Sequence, residues 1–296
     1  MNQPGSLIPD ELRRMCTPLR TAVSVTLGPV DPTTLALLEE RGFDQAPVKD
    51  STGRVVGLVK THHLRALAER AEPLPAKDLM LHEDGWWLQI RSSVTIDALL
   101  ERMTRRRAVI LVEDNESTPF DNAESVLGLL TISDLNRHMM RSALYSLMAH
   151  VEAELAALVE TTIPDAWAWI HGLNENHQVT ILGYWELSKR RGVDVGPVAA
   201  TTLSQLLQVT ARSKALLALL GFASRNQFED QTGRIPDLRN RVMHPVRPLV
   251  LDPEDIANVC QAVAAVRILA TRMARTVGDP TISATGRIPP AAEPER

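Results

Sequence analysis

The strongest constraint on this chain is that its first half is written twice. The stretch GFDQAPVKDSTGRVVGLVKTHHL, residues 42–64, aligns with RRAVILVEDNESTPFDNAESVLGLLTISDL, residues 106–135. Each copy follows a helical stretch (TTLALLEERG, then TIDALLERMTRR) and reads as strand, turn, strand and the start of another helix. A sheet this small cannot bury both of its faces alone. Duplication supplies a partner, so the two copies are expected to pack on each other as an α+β unit. The second copy differs by a longer polar hairpin, NESTPFDNAES.

The pattern changes near residue 140. Beyond it, Arg141–Glu160, Val179–Arg190, Val198–Leu220 and Pro253–Arg275 read as amphipathic helices, with almost no strand-like run between them. Asp252-Pro253 supplies an N-cap followed by proline at the first helical position. The expected fold class is therefore an α+β N-terminal half followed by an all-α helical bundle. The expected spans are 1–140 (repeats at about 19–70 and 80–140) and 141–278. Residues 279–296 lose periodicity, are rich in Pro, Ala and Glu, and read as a disordered tail.

Composition removes several classes of function. A net charge of −4 gives no general affinity for nucleic acid, although local basic patches remain open. Cys16 and Cys260 lie far apart, with no His at metal-ligand spacing, so neither a zinc site nor a disulfide framework is expected. The N-terminus lacks the charged and apolar regions of a signal peptide, and no uninterrupted apolar stretch reaches the ~18 residues that span a bilayer. The expectation is a cytoplasmic protein without a membrane segment. Trp86, Trp87, Trp167, Trp169 and Trp185 have no interleaved basic residues and read as core or interface aromatics. No Gly-rich phosphate loop, nucleophile elbow or H-E-x-x-H is present.

The repeat resembles a tandem pair of CBS domains, modules that bind adenine nucleotides and related adenosyl ligands. The likeness runs over about residues 19–140 and is carried by GFDQAPVKDSTGRVVGLV and VLGLLTISDL. In that family the pattern Gly, two apolar residues, Thr or Ser, any two residues and Asp ends the second strand, where the hydroxyl and carboxylate grip a ribose. The second copy matches throughout, from Gly128 to Thr131 and Asp134. The first copy has Lys60 at the hydroxyl position and His63 at the carboxylate position. The resemblance implies one intact ribose site at Thr131 and Asp134. Lys60, His63 and the run Arg105, Arg106, Arg107 are the candidates for phosphate contacts. The implied regulatory ligand is ATP, ADP, AMP or S-adenosylmethionine. The Thr131/Asp134 pair also fits a plain helix N-cap, and both readings stay open.

The helical half carries LRNRVMHPVR, residues 238–247. An Arg-His pair at any one spacing is expected roughly 0.7 times by chance in a chain of this composition, so the spacing alone means nothing. On a helix from Ile235, however, Ile235, Leu238 and Val242 form one apolar stripe, while Asn240 and His244 share the opposite face. Arg239 lies on the flank, and Pro245 disfavours helical backbone at His244. The segment IPDLRNRVMHPVRPL is similar to the HEPN superfamily, whose motif is Arg, a polar residue, three variable residues and His. Arg239, Asn240 and His244 fill it. The resemblance implies metal-independent RNA cleavage, with no catalytic cofactor, often where two motifs meet in a homodimer. His244 would move protons, Arg239 would stabilise phosphoryl charge and Asn240 would orient; the products would be a 2′,3′-cyclic phosphate and a 5′-hydroxyl. Two further readings stand beside the regulated ribonuclease. One is a non-catalytic sensor or adaptor that binds a partner protein; the other is a toxin-like nuclease held by a separately encoded antidote.

Overall fold

The computed structural model describes residues 9–18, 21–53, 55–75, 87–91, 94–105, 108–112 and 126–278. Arg106, Arg107, Trp86, the polar hairpin and the tail lie outside these residues. The chain divides into two compact units. One comprises Met1–Leu144 with Arg241–Cys260, and the other Tyr145–Asn240 with Gln261–Arg296.

The first unit opens with α1 (Pro9–Met15), β1 (Thr17–Pro18) and β2 (Val25–Thr26). The first repeat then runs α2 (Pro32–Glu40), β3 (Gln45–Lys49), β4 (Val55–Lys60) and α3 (Thr61–Glu69). The second runs β5 (Trp87–Arg91), α4 (Ile96–Arg105), β6 (Ala108–Val112) and β7 (Val126–Thr131), followed by a 3-10 turn at Ile132–Asn136. In each, a parallel strand pair with a helical crossover is extended by an antiparallel hairpin: β2–β3–β4 in one sheet, β5–β6–β7 in the other. The duplication extends to an irregularity. A register shift falls between Val48 and Lys49 in β3, and another between Leu111 and Val112 in β6. β1 adds to the outer edge of the second sheet by pairing antiparallel with β7.

Asp31 starts α2 by accepting N–H bonds from Thr33 and Thr34 at 3.1 Å, with Pro32 at the first helical position. Leu35 and Leu38 of α2 and Leu64 and Leu67 of α3 are buried in one cluster with Ala46, Val48 and Val59 of the sheet. The apolar positions of α4 (Ile96, Leu99, Leu100, Met103) are buried in the same 3.6-residue rhythm.

The second unit is helical. From α5 (His138–Thr162) the chain continues through α6 (Ala166–Ile170), α7 (Glu175–Arg190), α8 (Leu203–Arg212), α9 (Lys214–Leu219), α10 (Arg225–Thr232), α11 (Ile235–Met243) and α12 (Pro253–Gly278). The division between units falls within α5, α11 and α12. The single helix expected over 198–220 is instead a 3-10 turn, α8 and α9. Thr202 and Gln205 form a reciprocal cap that starts α8, and Ser213, in extended backbone, starts α9 by accepting the Leu216 N–H. Side-chain caps thus interrupt an apolar pattern that alone runs on. α12 is long and apolar enough, by length and composition, to cross a membrane; here Ile256, Val259, Val263, Val266 and Leu269 on it are buried in the protein.

Candidate functional site

A cleft of about 740 Å³ lies in the first unit where the two repeats face each other. The first repeat contributes Glu39, the turn Gly42–Gln45, then Lys60, Thr61, His62 and Arg65; the second contributes Thr131, Ile132 and Ser133. A third wall, which sequence reasoning missed, comes from Leu251 and Asp252, over a hundred residues further along. The volume lies within the ~300–1,000 Å³ typical of small-ligand sites.

Thr131 ends β7 at the cleft wall. Asp134 does not line the cleft. It is only 4% exposed, and its Oδ2 accepts the Thr131 N–H at 2.7 Å and the Thr131 Oγ1–H at 2.9 Å. Its Oδ1 pairs with Arg137 at 2.7 Å, and Arg137 also donates to the Met15 carbonyl and to Thr17 Oγ1. The carboxylate therefore braces the turn and ties it to the N-terminal segment, as a capping residue does. Burial pushes its carboxyl above the ordinary range, outweighing the Thr131 bonds and the Arg137 charge that favour ionisation. A ribose hydroxyl reaching Asp134 would have to displace Thr131 Oγ1 or Arg137.

In the first repeat Lys60 lines the cleft at the position equivalent to Thr131, and His62 lines it where His63 does not. The hydroxyl there is shifted by one residue, to Thr61, whose Oγ1 donates to the Phe43 carbonyl while its N–H donates to that of Asp44. That hydroxyl stitches α3 to the turn before β3. Arg65 pairs with Glu39 at 2.6 Å on the cleft wall. Phe43, 43% exposed, offers an aromatic face in the same turn.

The second candidate set sits at the end of α11. The helix stops at Met243, one residue before His244, and Arg247 N–H closes a turn onto the His244 carbonyl at 3.0 Å. Ile235, Leu238 and Val242 are buried, whereas Asn240 and His244 are exposed and Arg239 is partly so. Among the described residues none of these three side chains makes a hydrogen bond or ion pair with another. Arg241, in the same helix, is paired with Asp255 at 2.6 Å. Among the described residues no cluster of three or more His, Cys, Asp or Glu side chains is placed to hold a metal ion.

No family model matches the chain, and no curated protein does either. The chain is similar in structure to a CBS domain protein from Shewanella oneidensis MR-1, at 19% identity over 44% of this chain and 94% of that one, with a TM-score of 0.33. It is likewise similar to the CBS domain of a bacterial CNNM/CorC family Mg2+ transporter in complex with ATP, at 18% identity over 45% and 86% with a TM-score of 0.33. A third similar structure is CBSX2 in complex with AMP, at 19% identity over 45% and 95%, also with a TM-score of 0.33.

Proposed function

We propose that the duplicated unit is a tandem CBS pair and that the chain is an adenine-nucleotide sensor, with AMP, ADP, ATP or S-adenosylmethionine as its regulatory ligand. The observation that carries this reading is the cleft. The one complete Gly-Leu-Leu-Thr-x-x-Asp motif delivers Thr131, Ile132 and Ser133 to its wall, where the other repeat supplies Lys60 and Phe43. Thr131 and Ser133 offer hydroxyls to a ribose, Lys60 a charge to a phosphate and Phe43 a face to a base. Asp134 acts first by holding Thr131 and takes a ribose hydroxyl only if its bonds to Thr131 or Arg137 yield.

Thermal shift measurements test the reading. Millimolar AMP, ATP or S-adenosylmethionine is expected to raise the melting temperature of the wild type and to raise it less in Thr131→Ala. No shift with any of them in the wild type sinks the nucleotide reading.

The helical region is the second part of the proposal. It is a HEPN-like domain in which Arg239, Asn240 and His244 cleave RNA without metal as a homodimer, and the nucleotide controls that activity. The exposure of Asn240 and His244 and the helix stop at Met243 favour this reading. Degradation of mixed RNA in EDTA that disappears in His244→Ala supports it. RNA left intact under every ligand moves the function to the adaptor reading, in which the same surface binds a partner protein.

A further inference from the structure

The third wall of the cleft belongs to a loop that side chains hold at both ends. Asn136, two residues beyond Asp134, uses its whole amide on this loop. Its Oδ1 accepts the N–H groups of Leu249 at 2.7 Å and Val250 at 2.9 Å, and its Nδ2 donates to the Val250 carbonyl at 2.8 Å. Five residues later Arg141, only 7% exposed, donates to the backbone carbonyls of Arg241 and Arg247, which flank the His244 turn. Asp255 closes the far side by pairing with Arg241 and accepting the Leu251 N–H at 2.9 Å. Pro245 and the Asp252-Pro253 cap already end one helix and begin the next, so these clamps are not required for either. Their effect is to fix Leu251 and Asp252 against the cleft.

Leu251 is poorly accounted for as part of a fold, whereas Asp252 also caps α12, its Oδ1 accepting the Asp255 N–H at 2.9 Å. Leu251 is 73% exposed although its neighbours Leu249 and Val250 are buried, and the surface it faces is the cleft. With Phe43 it offers the cleft apolar surface for a nucleobase. Asp252 adds a negative charge. Among the lining side chains Lys60 and Arg65 are positive and Glu39, Asp44 and Asp252 negative, with Arg65 paired to Glu39. Such a wall suits a ligand with one phosphate better than one with three.

Resting on the nucleotide reading of the cleft, we infer that Leu251 and Asp252 are ligand-contacting residues. Leu251 covers the base, and Asp252 sets the phosphate charge the cleft accepts. Because the loop that carries them also carries His244, occupancy of the cleft orders the His244 turn. The signal runs through one continuous set of hydrogen bonds, and its strength is the difference in ligand affinity between the ordered and loosened loop.

The test pairs calorimetric titration of AMP, ADP, ATP and S-adenosylmethionine with amide hydrogen exchange on the full chain. In the wild type, saturating AMP is expected to slow exchange over residues 244–252 at least fivefold. Leu251→Ser, at an exposed position, is expected to weaken AMP binding about tenfold, in keeping with the loss of one buried apolar side chain. Asp252→Asn is expected to raise the ATP-to-AMP affinity ratio about threefold, from removal of one nearby charge. Wild-type binding that neither variant alters, with unchanged exchange over 244–252, overturns the inference and leaves the nucleotide reading standing. Absence of binding of AMP, ADP, ATP and S-adenosylmethionine by the wild type overturns both.

Discussion

A Cβ placed on Gly128 would lie 2.6 Å from both Cys16 Sγ and the Thr17 carbonyl oxygen, closer than any side chain tolerates. The first residue of the ribose-binding pattern thus lets β1 reach β7, a structural duty at least as direct as any binding one. Gly128→Ala is expected to destabilise the protein by about 1–3 kcal/mol, read from urea unfolding, through that steric conflict. Cys16 on the other side of the contact is buried, and burial together with the Asp134 charge lifts its thiol to about 11. It stays protonated at neutral pH, so alkylation in the native state is expected to be at least tenfold slower than in urea. Asp134 carries a pH signature. Its folded carboxyl titrates above the ordinary 3.8, so the folded state holds the proton more tightly than the unfolded one. The stability it contributes is present in acid and lost as pH rises through the folded value. The melting temperature of Asp134→Asn relative to wild type is therefore expected to increase from pH 3 to pH 7. A flat difference would show that the Thr131 and Arg137 contacts offset the cost of burial. At this scale Thr131 could be found by sequence, because its motif is local. The capping geometry of Asp134 was one of two readings the sequence left open, since a Thr-x-x-Asp pair fits both a cap and a ribose site.

Among the elements, those with internal rhythm were legible and those held by distant partners were not. α2 and α4 follow their apolar spacing, and the strand pairs β3–β4 and β6–β7 follow their short apolar runs. β1 and β2 have two residues each, too few for any periodicity, and exist only because a neighbouring strand edge is there to pair with. The break between α8 and α9 was hidden because apolar residues continue through Ser213, whose hydroxyl caps the second helix. The least legible element is the loop 244–252. Its partners Asn136 and Arg141 are more than a hundred residues away, and a single Asn leaves no local trace of three hydrogen bonds. Asn136→Ala leaves two backbone N–H groups without their acceptor and is expected to cost about 1–3 kcal/mol by denaturant titration. Its effect on exchange should be concentrated at Leu249 and Val250.

For the whole molecule, the first unit is assembled from two stretches of chain, with the helical unit's Tyr145–Asn240 lying between them in sequence. A fragment ending at residue 140 keeps both repeats and the Thr131 motif but loses Leu251, Asp252 and every partner of Asn136 in the loop. Such a fragment is expected to melt at a lower temperature than the full chain and to bind AMP more weakly. The comparison separates what the repeats supply from what the returning loop adds. The same discontinuity sets a timetable. On the ribosome, at about 5–20 residues per second, roughly five to twenty seconds separate the synthesis of Asn136 from that of its partners at Leu249 and Val250. Throughout that interval the nascent cleft is open on one side, and the helical segments emerge before it can close. Any molecule that enters the cleft during that interval meets only the walls that the two repeats supply.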